Sequence, residues 1–173
     1  MREVSGMRLK KMVMLAMFVA IGVVISPILR VEGCCPMQHV VNIVCSVFMG
    51  PWYSLLCAVL IGVIRMACMG IPPLALTGAV FGAFLSGVFY RISKGSIFAA
   101  AGGEVFGTGI SGSIVSYPVM AFLMGRGEVT LFFYTPSFLA GTLMGGSIAV
   151  VFLFALRRAG MLTKLQAQLG GAL

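Results

Sequence analysis

"MQHVVNIVCSVFMGPWYSLLCAVLIGVIRMACM", residues 37–69, decides the fold. Two apolar runs meet at Gly50-Pro51, a pair that stops one helix and starts another. The second run, 52–69, approaches the ~20 helical residues needed to cross a hydrocarbon core, while the first, 37–49, is short for that task. Neither run is purely apolar. Gln38, His39 and Asn42 open the first, and Arg65 interrupts the second. Polar groups inside such runs are costly in lipid, so they either snorkel to an interface or gather around something they bind.

The whole chain repeats this texture. Of 173 residues, 60% are hydrophobic and only 9% charged, against the ~25% of ordinary soluble domains. The mean hydropathy is +1.11. A soluble fold this small needs a polar surface that these residues cannot supply. The composition therefore specifies an integral membrane protein, and its 23 glycines suit close helix packing. Arg8, Lys10 and Lys11 precede an apolar stretch in the manner of a signal peptide, but apolar segments continue far beyond it, so the first segment reads as a retained span. The net charge of +8 is spread between apolar stretches and forms no basic patch with interleaved aromatics. That distribution excludes nucleic acid as a partner and points to lipid headgroups and membrane orientation.

Six segments are expected to form a single all-α transmembrane domain over 1–173: 12–29, 37–49, 52–69, 74–90, 100–124 and 131–156. With the N-terminus in the cytoplasm, Arg2, Arg8, Lys10, Lys11, Arg91, Lys94, Arg157, Arg158 and Lys164 fall inside. Only Arg30 and Arg126 fall outside. This positive-inside bias predicts that both termini are cytoplasmic and that the chain sits in a prokaryotic plasma membrane as a multi-pass protein.

Small residues mark helix contacts. Gly78, Gly82 and Ser86 form one stripe, and Gly141 and Gly145 another, both suited to packing within the bundle. Ala16 and Ala20 sit near the cytoplasmic side of the first helix, where a second membrane protein could dock.

The polar residues converge by depth. His39 and Asn42, three apart, share a helix face, with Gln38 beside them and Pro36 starting the helix. Arg65, Ser26, Glu32, Tyr117, Tyr134 and Ser137 come to a similar outer layer from other segments. An apolar chamber with a few directed polar groups is what a small-molecule site requires. Glu104 reads as a separate acid in the cytoplasmic half, a helix cap or a partner of Lys94 or Arg91. Cys34, Cys35 and His39 offer soft metal ligands, but adjacent cysteines chelate poorly together and the chain has a single histidine. No metal is expected, and no CxxC suggests a redox pair.

Several stretches together resemble one family: "CPMQHVVN" (35–42), "GPWY" (50–53), "IR" (64–65), "GAVFGAFLSGVFYR" (78–91), "GEVFGTG" (103–109) and "SYP" (116–118). The pattern resembles ThiW-type S-components, the substrate-binding subunits of energy-coupling factor vitamin transporters, over nearly the whole chain. The resemblance implies six helices, a site near the outer face, and uptake of the thiazole precursor of thiamin, hydroxyethylthiazole. It also implies a small-residue motif on the first helix, matched by Ala16 and Ala20, that meets the coupling transmembrane subunit. One departure is "LTG" at 76–78, where an "FPG"-like step is expected. The residues themselves leave thiamin and its pyrimidine open as ligands.

No GxxxxGK[ST] loop is present, so the chain cannot bind ATP in that way, and no cofactor is expected in it. ATP would be used by paired ATPase subunits. A membrane enzyme would need a base beside a nucleophile, which the single histidine does not suggest. A proton-coupled carrier would need a buried carboxylate, for which Glu104 is the candidate.

Overall fold

The structure is a computed structural model that describes residues 2–28 and 34–170, with side chains from Gly6 onward. The regular elements are helical: α1 (Arg2–Ile25), α2 (Pro36–Met49), α3 (Pro51–Met69), α4 (Leu74–Ile92), α5 (Ile97–Leu123), α6 (Thr135–Arg158) and α7 (Met161–Gln168). Local chemistry sets the boundaries. Pro36 and Pro51 begin α2 and α3, where a missing N–H costs nothing. Gly70, at φ 60°, ends α3 in the left-handed conformation. The Ser96 hydroxyl accepts from Ala99 N at 3.4 Å and caps α5.

Several edges differ from the sequence expectation. α1 begins ten residues before the apolar segment, because charged residues do not end a helix that hydropathy cannot see. α6 starts at Thr135 because Thr130–Tyr134 forms turns. α7 is too polar and short for a span and was not anticipated. It folds back on the bundle, burying Leu162, while Gln166 Nε2 donates to Val47 O at 2.8 Å and to the Tyr90 hydroxyl at 3.0 Å.

α3, α4, α5 and α6 are long and apolar enough to cross a membrane. α2 has only 14 residues, roughly 21 Å of helix at 1.5 Å per residue. It runs through the middle of the bundle and touches every other helix. All of its residues except Met37 and Val40 are buried. The exterior is apolar instead: Phe122, Val24 and Val151 are 82%, 71% and 71% exposed. This inversion of a soluble fold fits lipid as the surrounding medium.

α4 and α5 approach backbone to backbone. A Cβ on Gly107 would sit 2.6 Å from Phe81 O, and one on Gly112 3.0 Å from Gly78 O. The glycine stripe on α4 is thus internal packing. So is the α6 pair, since a Cβ on Gly145 would strike Pro36 O and lie 2.8 Å from His39 Cβ. α5 also widens into π-helical turns at Val105–Gly112 and Val119–Leu123, the second directly after Pro118.

Candidate functional site

The first two turns of α2 carry the site. Gln38, His39 and Asn42 are all buried, as is Ser26 at the end of α1. On one side, Arg65 of α3 is 2% exposed, so it does not snorkel. Its Nη1 donates to Gln38 Oε1 at 3.4 Å, and both terminal nitrogens lie 3.7 Å from Cys35 Sγ. Ser26 Oγ lies 2.7 Å from the same Gln38 oxygen, and Cys35 Sγ donates to Ser26 O at 2.9 Å.

On the other side stands Glu104 of α5, fully buried. Its Oε1 is 2.8 Å from His39 Nδ1 and accepts from Asn42 Nδ2 at 2.9 Å and from Thr108 Oγ1 at 3.2 Å. A carboxylate oxygen offers only acceptor sites, so Nδ1 carries the imidazole proton that points at it. Asn42 Nδ2 also reaches Ala79 O at 3.3 Å, and Gln38 Nε2 donates to Asn42 Oδ1 at 3.1 Å.

Two amide side chains therefore lie in series between a buried cation and a buried anion. Each turns its carbonyl toward Arg65 and its amino group toward Glu104, so their dipoles align with the field. Isolated charges in this medium cost several kcal/mol, and hydrogen bonds of this kind are what offset the cost. Gly82 makes room for the acid: a Cβ there would overlap Thr108 Oγ1 and lie 2.7 Å from Glu104 Cδ.

Sequence reasoning placed Glu104 apart from the outer layer. The structure joins them, because α2 is short and its first turns enter the bundle at the level of the eighth residue of α5. An acid inside an apolar segment with Thr108 one turn later was the available signal. Tyr134 is buried at 2% exposure against Phe138, with ring centroids 6.2 Å apart. Tyr117 and Ser137 are half-buried and do not join the hydrogen-bonded network. Glu32 lies outside the described residues. Among the described residues, no cluster of three or more His, Cys, Asp or Glu could hold a metal ion. Cys34, in the turn before α2, has its thiol pushed up from the ordinary value by burial and by neighbouring Cys35.

Three buried side-chain atoms in the described structure have no hydrogen-bond partner: Arg65 Nε, Glu104 Oε2 and the Tyr134 hydroxyl. All three belong to this polar region or to the aromatic cluster beside it, whose Phe138 packs on Gly78 of α4.

An apolar helical bundle that encloses a hydrogen-bonded polar layer defines a multi-pass membrane protein as its class. Residues 12–159 match the family ThiW, thiamine-precursor transporter protein. The chain belongs to that family, which is one of transporters. No curated protein and no solved structure matches it.

Proposed function

We propose that the chain is the substrate-capture subunit of an energy-coupling factor importer. It takes hydroxyethylthiazole from outside into the layer formed by Gln38, His39, Asn42, Arg65 and Tyr134, with Glu104 added to that set. Tyr117 and Ser137 stand at its rim in this reading, and Glu32, outside the described residues, is kept in the set from the sequence. The observation that carries it is the enclosed polar layer of a ThiW-family chain that has no nucleotide-binding loop of its own. Transport then needs a coupling transmembrane subunit and paired ATPases. Ala16 and Ala20 suit that contact: both are exposed, in a shallow apolar groove between α1 and α3 lined also by Val23, Leu60 and Ile64. Docking that loosens the site would couple release to assembly, as linkage requires.

In the same reading α1 and α2 also cross the membrane, giving six spans with both ends in the prokaryotic cytoplasm. Support comes from Gly170, where a Cβ would lie 2.6 Å from Met7 Sδ, so the two ends of the described chain are neighbours. Reporter fusions at each end should both read cytoplasmic; an external C-terminus would break the six-span count.

The test of function is titration calorimetry of the purified chain with hydroxyethylthiazole, thiamin and the pyrimidine precursor, followed by uptake into vesicles. The expected result is one-to-one binding of the thiazole, with uptake only when the coupling module and ATP are supplied. A proton-coupled carrier is the second reading, favoured by the burial of Glu104 against His39. Uptake by the chain alone under a pH gradient would establish it and overturn the first.

A further inference from the structure

The carboxylate of Glu104 is lopsided. Three donors, from His39, Asn42 and Thr108, converge on Oε1. Oε2 receives none and is sealed from solvent. A buried oxygen in that condition has lost water without gaining a partner, the costlier side of the hydrogen-bond balance. The three neighbours cannot be shared with it without leaving Oε1, so the missing donor must come from outside this network.

The chemistry of the proposed ligand restricts what that donor is. A neutral thiazole ring nitrogen is an acceptor, and the ring sulfur donates nothing. The hydroxyl is the one conventional donor that a hydroxyethylthiazole carries. The ring nitrogen in turn needs a donor, and the two other bare atoms, Arg65 Nε and the Tyr134 hydroxyl, can both donate. Among the described residues, the unpartnered atoms thus match in kind what a heteroaromatic alcohol needs: one acceptor for its hydroxyl, and donors for its ring.

We infer that Glu104 Oε2 accepts the hydroxyl proton of the ligand, making Glu104 the residue that selects a free alcohol over both its deoxy analogue and its phosphate ester. The inference rests on the reading of the chain as a hydroxyethylthiazole-binding subunit. A deoxy analogue leaves Oε2 bare. A phosphate ester replaces the donor with negative charge beside a carboxylate, in a medium where like charges repel strongly. The ligand reaches Oε2 only as the packing around it parts, and once there it meets no competing water.

The experiment is calorimetric titration of the wild-type chain and of Glu104→Gln with hydroxyethylthiazole, 5-ethyl-4-methylthiazole and hydroxyethylthiazole phosphate. For wild type, loss of the hydroxyl should weaken binding about ten- to hundredfold, the range for hydrogen bonds to charged groups. The phosphate ester should bind at least as poorly. In Glu104→Gln the alcohol should bind more weakly, and the gap between alcohol and deoxy compound should shrink to about threefold or less. A variant that merely loosened the bundle would weaken both compounds alike and keep the gap. If Glu104→Gln does not fold, Glu104→Asp, which withdraws the carboxylate by one methylene, reads the same gap. Wild type binding the deoxy compound or the ester as tightly as the alcohol overturns the inference and leaves the transport reading standing. Wild type that binds none of the three overturns both.

Discussion

α1 and α2 are opposites. α1 is 24 residues long, and of its described side chains only Leu15, Val19 and Gly22 are buried. α2 is 14 residues long, carries Gln38, His39, Asn42 and Ser46, and is buried almost throughout. In water the purely apolar stretch 12–25 of α1 would be inside, and a helix carrying four such polar side chains would turn them outside. Lipid removes the drive to hide apolar side chains and raises the cost of exposing polar ones. The helix with chemistry on it therefore becomes the axis of the bundle. α1 becomes an outer plank on which Ala16 and Ala20 face outward.

That contrast fails first, if it fails, at α2. Gly145→Leu should have the largest effect, because any side chain at this position strikes Pro36 O and His39. Overpacking of this kind costs about 1–3 kcal/mol or more, and here the obstacle is backbone. Loss of a monodisperse peak on size-exclusion chromatography in detergent is expected, whereas Val24→Leu on the exposed face of α1 should leave it intact. Equal behaviour of the two variants would erase the distinction between axis and plank.

A smaller effect belongs to His39→Ala. It removes a donor from Glu104 Oε1 while the apolar neighbours of α2 remain. Binding of hydroxyethylthiazole should weaken by about 1–3 kcal/mol in calorimetry, with the protein still folded. Unchanged affinity would take His39 out of the site and leave α2 a structural axis only.

The smallest effect on the chain itself is expected from Ala16→Trp or Ala20→Trp. Stability and ligand affinity should stay within about 0.5 kcal/mol of wild type, the usual range for surface positions. Co-purification with the coupling subunit should fall sharply, because close approach is blocked. Retained assembly with lost ligand binding would make α1 part of the chamber.

The fold was readable where physics is one-dimensional. Apolar length gave the spans of α3 to α6, proline and glycine gave the turns at 50–51 and 70–73, and Gln38, His39, Asn42 and Arg65, assigned to one layer by depth, lie in one hydrogen-bonded network. What escaped needed the third dimension. Glu104 lies early in a helix of 27 residues, and only the shortness of α2 brings His39 down to it. Depth counting assumes that every helix reaches the surface, and α2 does not need to, since other helices surround it. Tyr117 was assigned by depth as well, but depth says nothing about which way a side chain turns. α7 was invisible to hydropathy because its role rests on Leu162, Leu169 and one glutamine that finds two acceptors.

The contact at Gly82 constrains how this family could drift toward other ligands. A methyl group at 82 would occupy the space of the Thr108 hydroxyl and press on the Glu104 carboxyl. Alanine at 82 therefore forces the Thr108 hydroxyl and the Glu104 carboxyl to shift and strains their hydrogen bond, a cost that falls away once both side chains are shortened. The substitutions are epistatic: shortening the side chains at 104 and 108 eases a change at 82, and neither alone clears the space. A lineage that abandons the acid and the threonine opens a new set of neighbours to mutation, and one that keeps them is under pressure to keep glycine at 82.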